Sequence, residues 1–201
     1  MTSTRPYRMT TRAQLAVETG ARILDAAKAL FSVHQFDAVT LAEVADRAEV
    51  TMQTVIRRFG SKERLFEAVA ERETARILAE REPGSDDPPT MAAAVRSLVA
   101  HYETDGATML NLLSQEHRFP AVATITARGR EAHRDWVARH CESVLGPARG
   151  KGRRRRLVAA IAATDLYIWK LLRLDLGLST AEVEKTMMAL LKGLEANKGG
   201  T

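Results

Sequence analysis

Apolar residues recur along this chain with the spacing of helices, and no stretch shows the alternating, β-branched pattern of strands. Ile23, Ala26, Ala27, Leu30 and Phe31 stand at i, i+3, i+4, i+7 and i+8, one stripe of a single helix. Leu41, Val44, Ala45 and Ala48 repeat the stripe over a shorter helix. Its start is marked by Thr40 with Glu43 three residues on, the pattern of a capping box. A third short helix is predicted from Thr51 to Gly60, where glycine suits the position after a helix end. Ser61 caps a fourth, which runs to about residue 82 with Leu65, Phe66, Val69 and Ala70 on its buried side. Pro83 to Pro89 cannot continue a helix and reads as a loop. Beyond it the spacing predicts helices near 90–104, 106–117, 120–145, 154–176 and 180–196. The fold class is therefore all-α: three short helices, a connecting helix, then about five longer ones.

Composition narrows this picture only a little. The 201 residues carry a formal charge of +5, a mild bias toward polyanions that many proteins share. The single cysteine, Cys141, excludes an intrachain disulfide and fits a reducing compartment. The longest apolar run, Leu157 to Ala163, falls far short of the ~20 residues of a membrane-spanning helix. The N-terminus has no apolar centre of the secretory kind, so a cytoplasmic protein with no membrane partner is expected. Residues 1 to about 12, with Arg5, Pro6, Arg8 and Arg12, read as a flexible basic arm. It either reaches a minor groove or is an idle tail. The run from Gly146 to Arg156 holds six basic residues and no acid, and reads as a solvated loop or helix start; DNA contact there is the sharper alternative.

Two short capped helices joined by the turn Ala48–Val50 have the outline of a helix-turn-helix. On the second of them Val55 and Phe59 face inward, while Gln53, Ile56 and Arg57 face outward. That outward set suits base reading: arginine pairs with guanine, glutamine with adenine, and an apolar side chain packs on a thymine methyl. Thr40, and Ser61 with Lys62, mark helix starts, whose free N–H groups favour phosphate. Residues 1–62 hold nine lysines and arginines against six acids, a lean in the same direction.

With these residues in place, positions 23–69 (ILDAAKALFSVHQFDAVTLAEVADRAEVTMQTVIRRFGSKERLFEAV) strongly resemble the DNA-binding region of TetR-type regulators. The likeness rests on ILDAA…LF, the approach from Phe36 to Thr40, LAEVADRA, and Thr51, Thr54, Phe59, Ser61, Lys62 and Glu63. It implies that Thr40 and Lys62 contact phosphates, and that Thr51, Met52, Gln53, Thr54, Ile56, Arg57 and Arg58 address the groove. The family's usual glycines are here Gln35 and Glu49, its frequent tyrosine is Ile56, and the pair that follows is Arg57–Arg58. The operator is therefore expected to differ from that of tyrosine-bearing relatives. The resemblance further implies a homodimer on a near-palindromic operator, paired through the last two helices. Those helices carry Leu157, Ile161, Ile168, Leu171 and Leu172, then Val183, Met187, Leu190, Leu191 and Leu194. Taken alone, these stripes show only buried helices.

The expected organisation is a DNA-binding head with its arm at 1–66 and a larger helical effector-binding and dimerisation domain at 67–201. Within the latter, His101, Tyr102, Met109, Asn111, His133, Trp136 and Asp165 are candidates for lining or orienting a mostly apolar small-molecule effector. Each also reads as core filling or, for Asp165, as an ion pair. His133 and His140, with Cys141, find no third and fourth ligand at metal-site spacing, so no metal and no cofactor is expected. No nucleophile–base pair or phosphate loop points to an enzyme. The expected function is a DNA-binding repressor released by its ligand, with a helical enzyme or a protein-binding adaptor as the alternatives.

Overall fold

A computed structural model describes residues 5–81, 90–146 and 152–196. Every regular element among them is a helix. The loop at 83–89, and Arg149 and Lys151 of the basic run, lie outside the described residues. Helix α1 spans Arg5–Val33, α2 Leu41–Arg47, α3 Met52–Phe59, α4 Lys62–Arg81, α5 Met91–Gln115 and α6 Pro120–His140. There follow α7 (Glu142–Leu145), α8 (Arg153–Ala163), α9 (Leu166–Lys170), a π-helical turn (Leu171–Asp175) and α10 (Thr180–Ala196).

The helices fall into two compact units. One takes residues up to Glu73 together with Asn111–Ile125; the other takes Thr74–Leu110 and everything from Thr126 onward. The boundaries of these units lie inside α4, α5 and α6. The first unit closes on the stripe seen in the sequence. Ile23, Ala26, Ala27 and Phe31 of α1 meet Val44, Ala45 and Ala48 around α2, Val55 of α3, and Leu65, Phe66 and Val69 of α4. Phe31, Phe36 and Phe66 form a triangle of rings with centroids 5.0–5.9 Å apart, and Phe119 stands 5.4 Å from Phe36. Burial of each such side chain contributes about 1.5–3 kcal/mol, enough to hold the two short helices, which are too brief to persist alone.

The second unit is built on Val95, Leu98, Val99 and Tyr102 of α5, Trp136 and Val137 of α6, and Val183, Met187 and Leu191 of α10. Four expected helices take a different form there, and the one predicted at 120–145 is divided at Cys141 into α6 and α7. The predicted pair at 90–104 and 106–117 is one helix, α5, because Gly106 is helical and serves for close approach. A Cβ at Gly106 would lie 2.6 Å from the Trp169 ring. The predicted helix 154–176 is broken at Thr164 and Asp165. The Thr164 hydroxyl donates back to the Ala160 carbonyl (2.8 Å), and Asp165 Oδ1 accepts from the Tyr167 N–H (2.8 Å), restarting the chain as α9. The basic arm is also different in form, since helix begins at Arg5. The last helix starts as read: Gly177 takes φ +69°, and Ser179 and Glu182 cap each other reciprocally.

Candidate nucleic-acid interface

The helix-turn-helix is assembled by local bonds that the sequence dictates. Thr40 Oγ1 accepts from the Glu43 N–H (3.2 Å), and Glu43 Oε2 accepts from the Thr40 N–H (2.8 Å), the reciprocal box that starts α2. The Thr40 hydroxyl and then its N–H hold the Glu43 carboxyl below its ordinary value. After α2 the chain reverses through Glu49, which sits at φ +54° in the left-handed region, while Val50 N–H reaches back to the Ala45 carbonyl (3.0 Å). This is the position where the family's usual glycine is absent. The turn geometry is kept, at a backbone cost of about 1–2 kcal/mol for a residue bearing a Cβ.

Thr51 caps α3, its Oγ1 accepting from the Thr54 N–H (3.2 Å) and lying 2.9 Å from the Thr54 hydroxyl. Val55 is fully buried and fixes the rotation of α3 about its axis; Phe59 is half-buried beside it. The opposite face then presents Gln53 and Arg57 to solvent, with Ile56 half-buried at its edge; Met52 is exposed as the first residue of the helix, and no acid stands in the first turn. At Gly60, φ +83° ends the helix, and its N–H closes on the Ile56 carbonyl (2.8 Å). Gln53 and Arg57 thus share one exposed side, with Ile56 half-buried beside them. Thr51 and Thr54 are engaged with each other at the helix start.

Two residues expected at phosphates also have internal partners. Lys62 Nζ donates to the carbonyls of Phe36 (2.9 Å) and Val39 (3.0 Å), with Asp37 O at 3.4 Å, and stands 4.7 Å from the Phe36 ring centroid. It clamps the turn between α1 and α2. The Thr40 hydroxyl proton goes to Glu43 Oε2 (2.8 Å), so a phosphate there must displace a carboxylate. Arg58 also departs from the groove set, since its guanidinium lies against α1 at Gly20.

The same turn is held from the other side by residues that sequence reading missed. Gln115 is buried; its Oε1 accepts from the Phe36 N–H (2.7 Å) and its Nε2 donates to Asn111 Oδ1 (3.1 Å). Asn111 donates to the His34 carbonyl (3.2 Å), closing the C-terminus of α1. Arg118 bonds Gln35 Oε1 and pairs with Asp37 (3.2 Å). Asn111 therefore belongs to the first unit and supports the helix-turn-helix. These partners lie about 80 positions apart in the chain, and no local pattern announces them.

The remaining effector candidates lie in the second unit. Tyr102 donates its hydroxyl to the Thr164 carbonyl (3.0 Å), and His133 Nε2 lies 3.2 Å from the Thr164 hydroxyl. Trp136 is buried with its ring between those of His133 (5.9 Å) and His140 (5.1 Å). His101 is buried, its Nδ1 3.2 Å from Asp105, which also pairs with Arg76 (2.8 Å). Met109 is half-buried. Asp165 is the N-cap of α9. Among the described residues no group of His, Cys, Asp and Glu is arranged to hold a metal. None of the described helices is long and apolar enough to cross a membrane.

Residues 23–69 match the family of bacterial regulatory proteins, tetR family. The fold matches solved structures along most of their length. One is assigned as a transcriptional regulator of Pseudomonas aeruginosa PAO1 (TM-score 0.69, 14% identity, 89% of this chain and 90% of that one). Another is a TetR-family transcriptional regulator of Streptomyces coelicolor (0.64, 19%, 90% and 96%). A third is the multidrug binding protein EbrR, complexed with imidazole (0.56, 20%, 85% and 88%). No curated protein matches the sequence.

Proposed function

We propose that this chain, a transcriptional regulator of the TetR type by its N-terminal segment and its fold, is a cytoplasmic homodimeric repressor released by a small, mostly apolar ligand. The observation that carries the reading is α3. Its rotation is set by Val55, its start by Thr51, and its exposed side carries Gln53 and Arg57, with Met52 exposed at its first turn, where such a helix would enter a major groove. An arginine and a glutamine on one exposed helical face supply bidentate donors for guanine and adenine, and Met52 an apolar contact for a thymine methyl.

A two-fold protein reads a two-fold site. The surface for pairing in this proposal is the exposed apolar set of the last helices: Tyr167, Leu171, Leu174, Leu176 and Leu190. For the ligand, Tyr102, Met109, His133 and Trp136 offer apolar and aromatic walls with few polar groups, the usual make-up of such sites, and His101 is an orienting group. Similarity to a multidrug binding protein favours the same class of occupant. Linkage then requires that a ligand which weakens DNA binding is itself bound more weakly by the DNA complex, by the same factor. Selection of bound sequences from random duplex DNA tests the proposal. A near-palindromic site whose affinity falls steeply with salt is expected, and no enrichment at moderate salt would remove the proposal's foundation.

A further inference from the structure

The recognition helix carries two adjacent arginines, and the first unit treats them differently. Both are exposed; Arg57 makes no side-chain hydrogen bond or ion pair among the described residues, whereas the Arg58 guanidinium lies against the backbone of α1 at Gly20. A Cβ built on Gly20 would collide with Arg58 Nη2 and would stand 2.5 Å from Cζ and 2.6 Å from Nε, well inside van der Waals contact. Only a residue without a side chain leaves room for this seat. Gly20 lies in the interior of a 29-residue helix, where glycine is the poorest helix former after proline. It also lies outside the segment 23–69 that matches the family, so the N-terminal part of α1 contributes something that the shared segment does not contain.

We propose that Gly20 is a specificity-determining residue, a seat that parks Arg58 against α1 and leaves base reading to Arg57 and Gln53. Successive residues of a helix point about 100° apart, so both arginines cannot address one line of bases. A free Arg58 beside the groove is a long, permanently charged side chain with phosphates in reach, and phosphate contacts add affinity without sequence information. Parking it therefore raises the ratio of specific to non-specific binding. The inference rests on the DNA-binding reading of α3 above.

Gly20→Ala is a clean probe because the atoms it displaces are the far end of a flexible side chain and alanine favours helix. The variant is expected to melt at or above the parent temperature. Its affinity for random-sequence DNA should rise several-fold, with a salt slope steeper by about 0.9, one phosphate's worth. Its preference for the selected site should fall accordingly. Arg58→Ala alone should change operator affinity less than two-fold, and Gly20→Ala in the Arg58→Ala background should add nothing. Without DNA, the Arg58 Nε–H resonance in 15N spectra should move toward the position of a solvated arginine in Gly20→Ala. An unchanged slope and preference in Gly20→Ala overturns the proposal, as does an effect that persists once Arg58 is alanine. A loss of tenfold or more from Arg58→Ala does so too, since it makes Arg58 a reader. If the parent protein selects no sequence, the DNA-binding reading fails instead, and a resonance that Gly20→Ala leaves in place independently refutes the seat.

Discussion

Lys62→Met separates two roles that one ammonium group can play. Methionine keeps the length and the apolar stem of lysine and removes only the charge and its three donors. Nζ donates to Phe36 O and Val39 O at 2.9 and 3.0 Å, reaches Asp37 O at 3.4 Å, and stands over the Phe36 ring. A hydrogen bond from a charged donor contributes about 1.5–3 kcal/mol, and a cation over a partly exposed ring about 0.5–1 kcal/mol. Lys62 is half-exposed, and water satisfies part of what the mutation frees, so the sum is discounted to about 2–3 kcal/mol. For a chain of this length that lowers Tm by about 4–12 °C. The clamp predicts this loss in a thermal melt, with a salt slope of operator binding equal to that of the parent. A phosphate contact predicts the reverse: an unchanged Tm and a slope shallower by about 0.9. The second outcome would refute the internal role derived from these distances.

Four further outcomes are expected. Glu49→Gly relieves the left-handed backbone at φ +54° and should raise stability in denaturant melts by about 0.5–1 kcal/mol, the relief being partly offset by glycine's greater freedom when unfolded. Gly106→Ala forces a methyl group into the Trp169 ring and should lower stability by about 1–3 kcal/mol, with a change in tryptophan fluorescence as the bond from Trp169 Nε1 to Glu103 (2.8 Å) is disturbed. Burial pushes the Cys141 thiol up to about 11, so it should resist thiol reagents at pH 8 until the protein unfolds; because the folded value is the raised one, this group's contribution to stability is lost as pH climbs toward 11. Leu190→Glu should split the dimer in sedimentation while the protein stays folded, because Leu190 is 46% exposed; Leu191, at 0%, is core and a charge there would test only folding.

Helices with a one-sided stripe were legible because burial of that stripe is the dominant stabilising term, and its period survives in the sequence. Ile23 to Phe31 and Leu41 to Ala48 lie in the core of the first unit. Caps were legible for a related reason: Thr40 with Glu43, and Ser179 with Glu182, act over three residues. The failures share a different scale. Gly106 reads as a helix break until Trp169, 63 positions later, is placed against it. The break at Thr164–Asp165 hides inside an apolar run because side chains that favour burial say nothing about which carbonyl a threonine will take.

The reading of the candidate interface divides along the same line. The exposed face of α3 follows from Val55 pointing inward, which is local, so Gln53 and Arg57 could be placed from sequence alone. Which polar groups remain available to a partner is not local, because a lysine, threonine or arginine binds whatever the fold brings within 3 Å. The α1–α2 turn is gripped by Lys62 on its carbonyls and by Gln115 on the Phe36 N–H, from 26 and 79 positions away. Leaving those backbone groups unpaired in a half-buried turn would cost about 1–3 kcal/mol each, so these side chains serve the fold whatever else they touch. A residue beside a recognition helix is thus a candidate contact only after the internal demand on its donors has been met. By that test Arg57 and Gln53 remain available, while Lys62 and Thr40 are engaged within the protein.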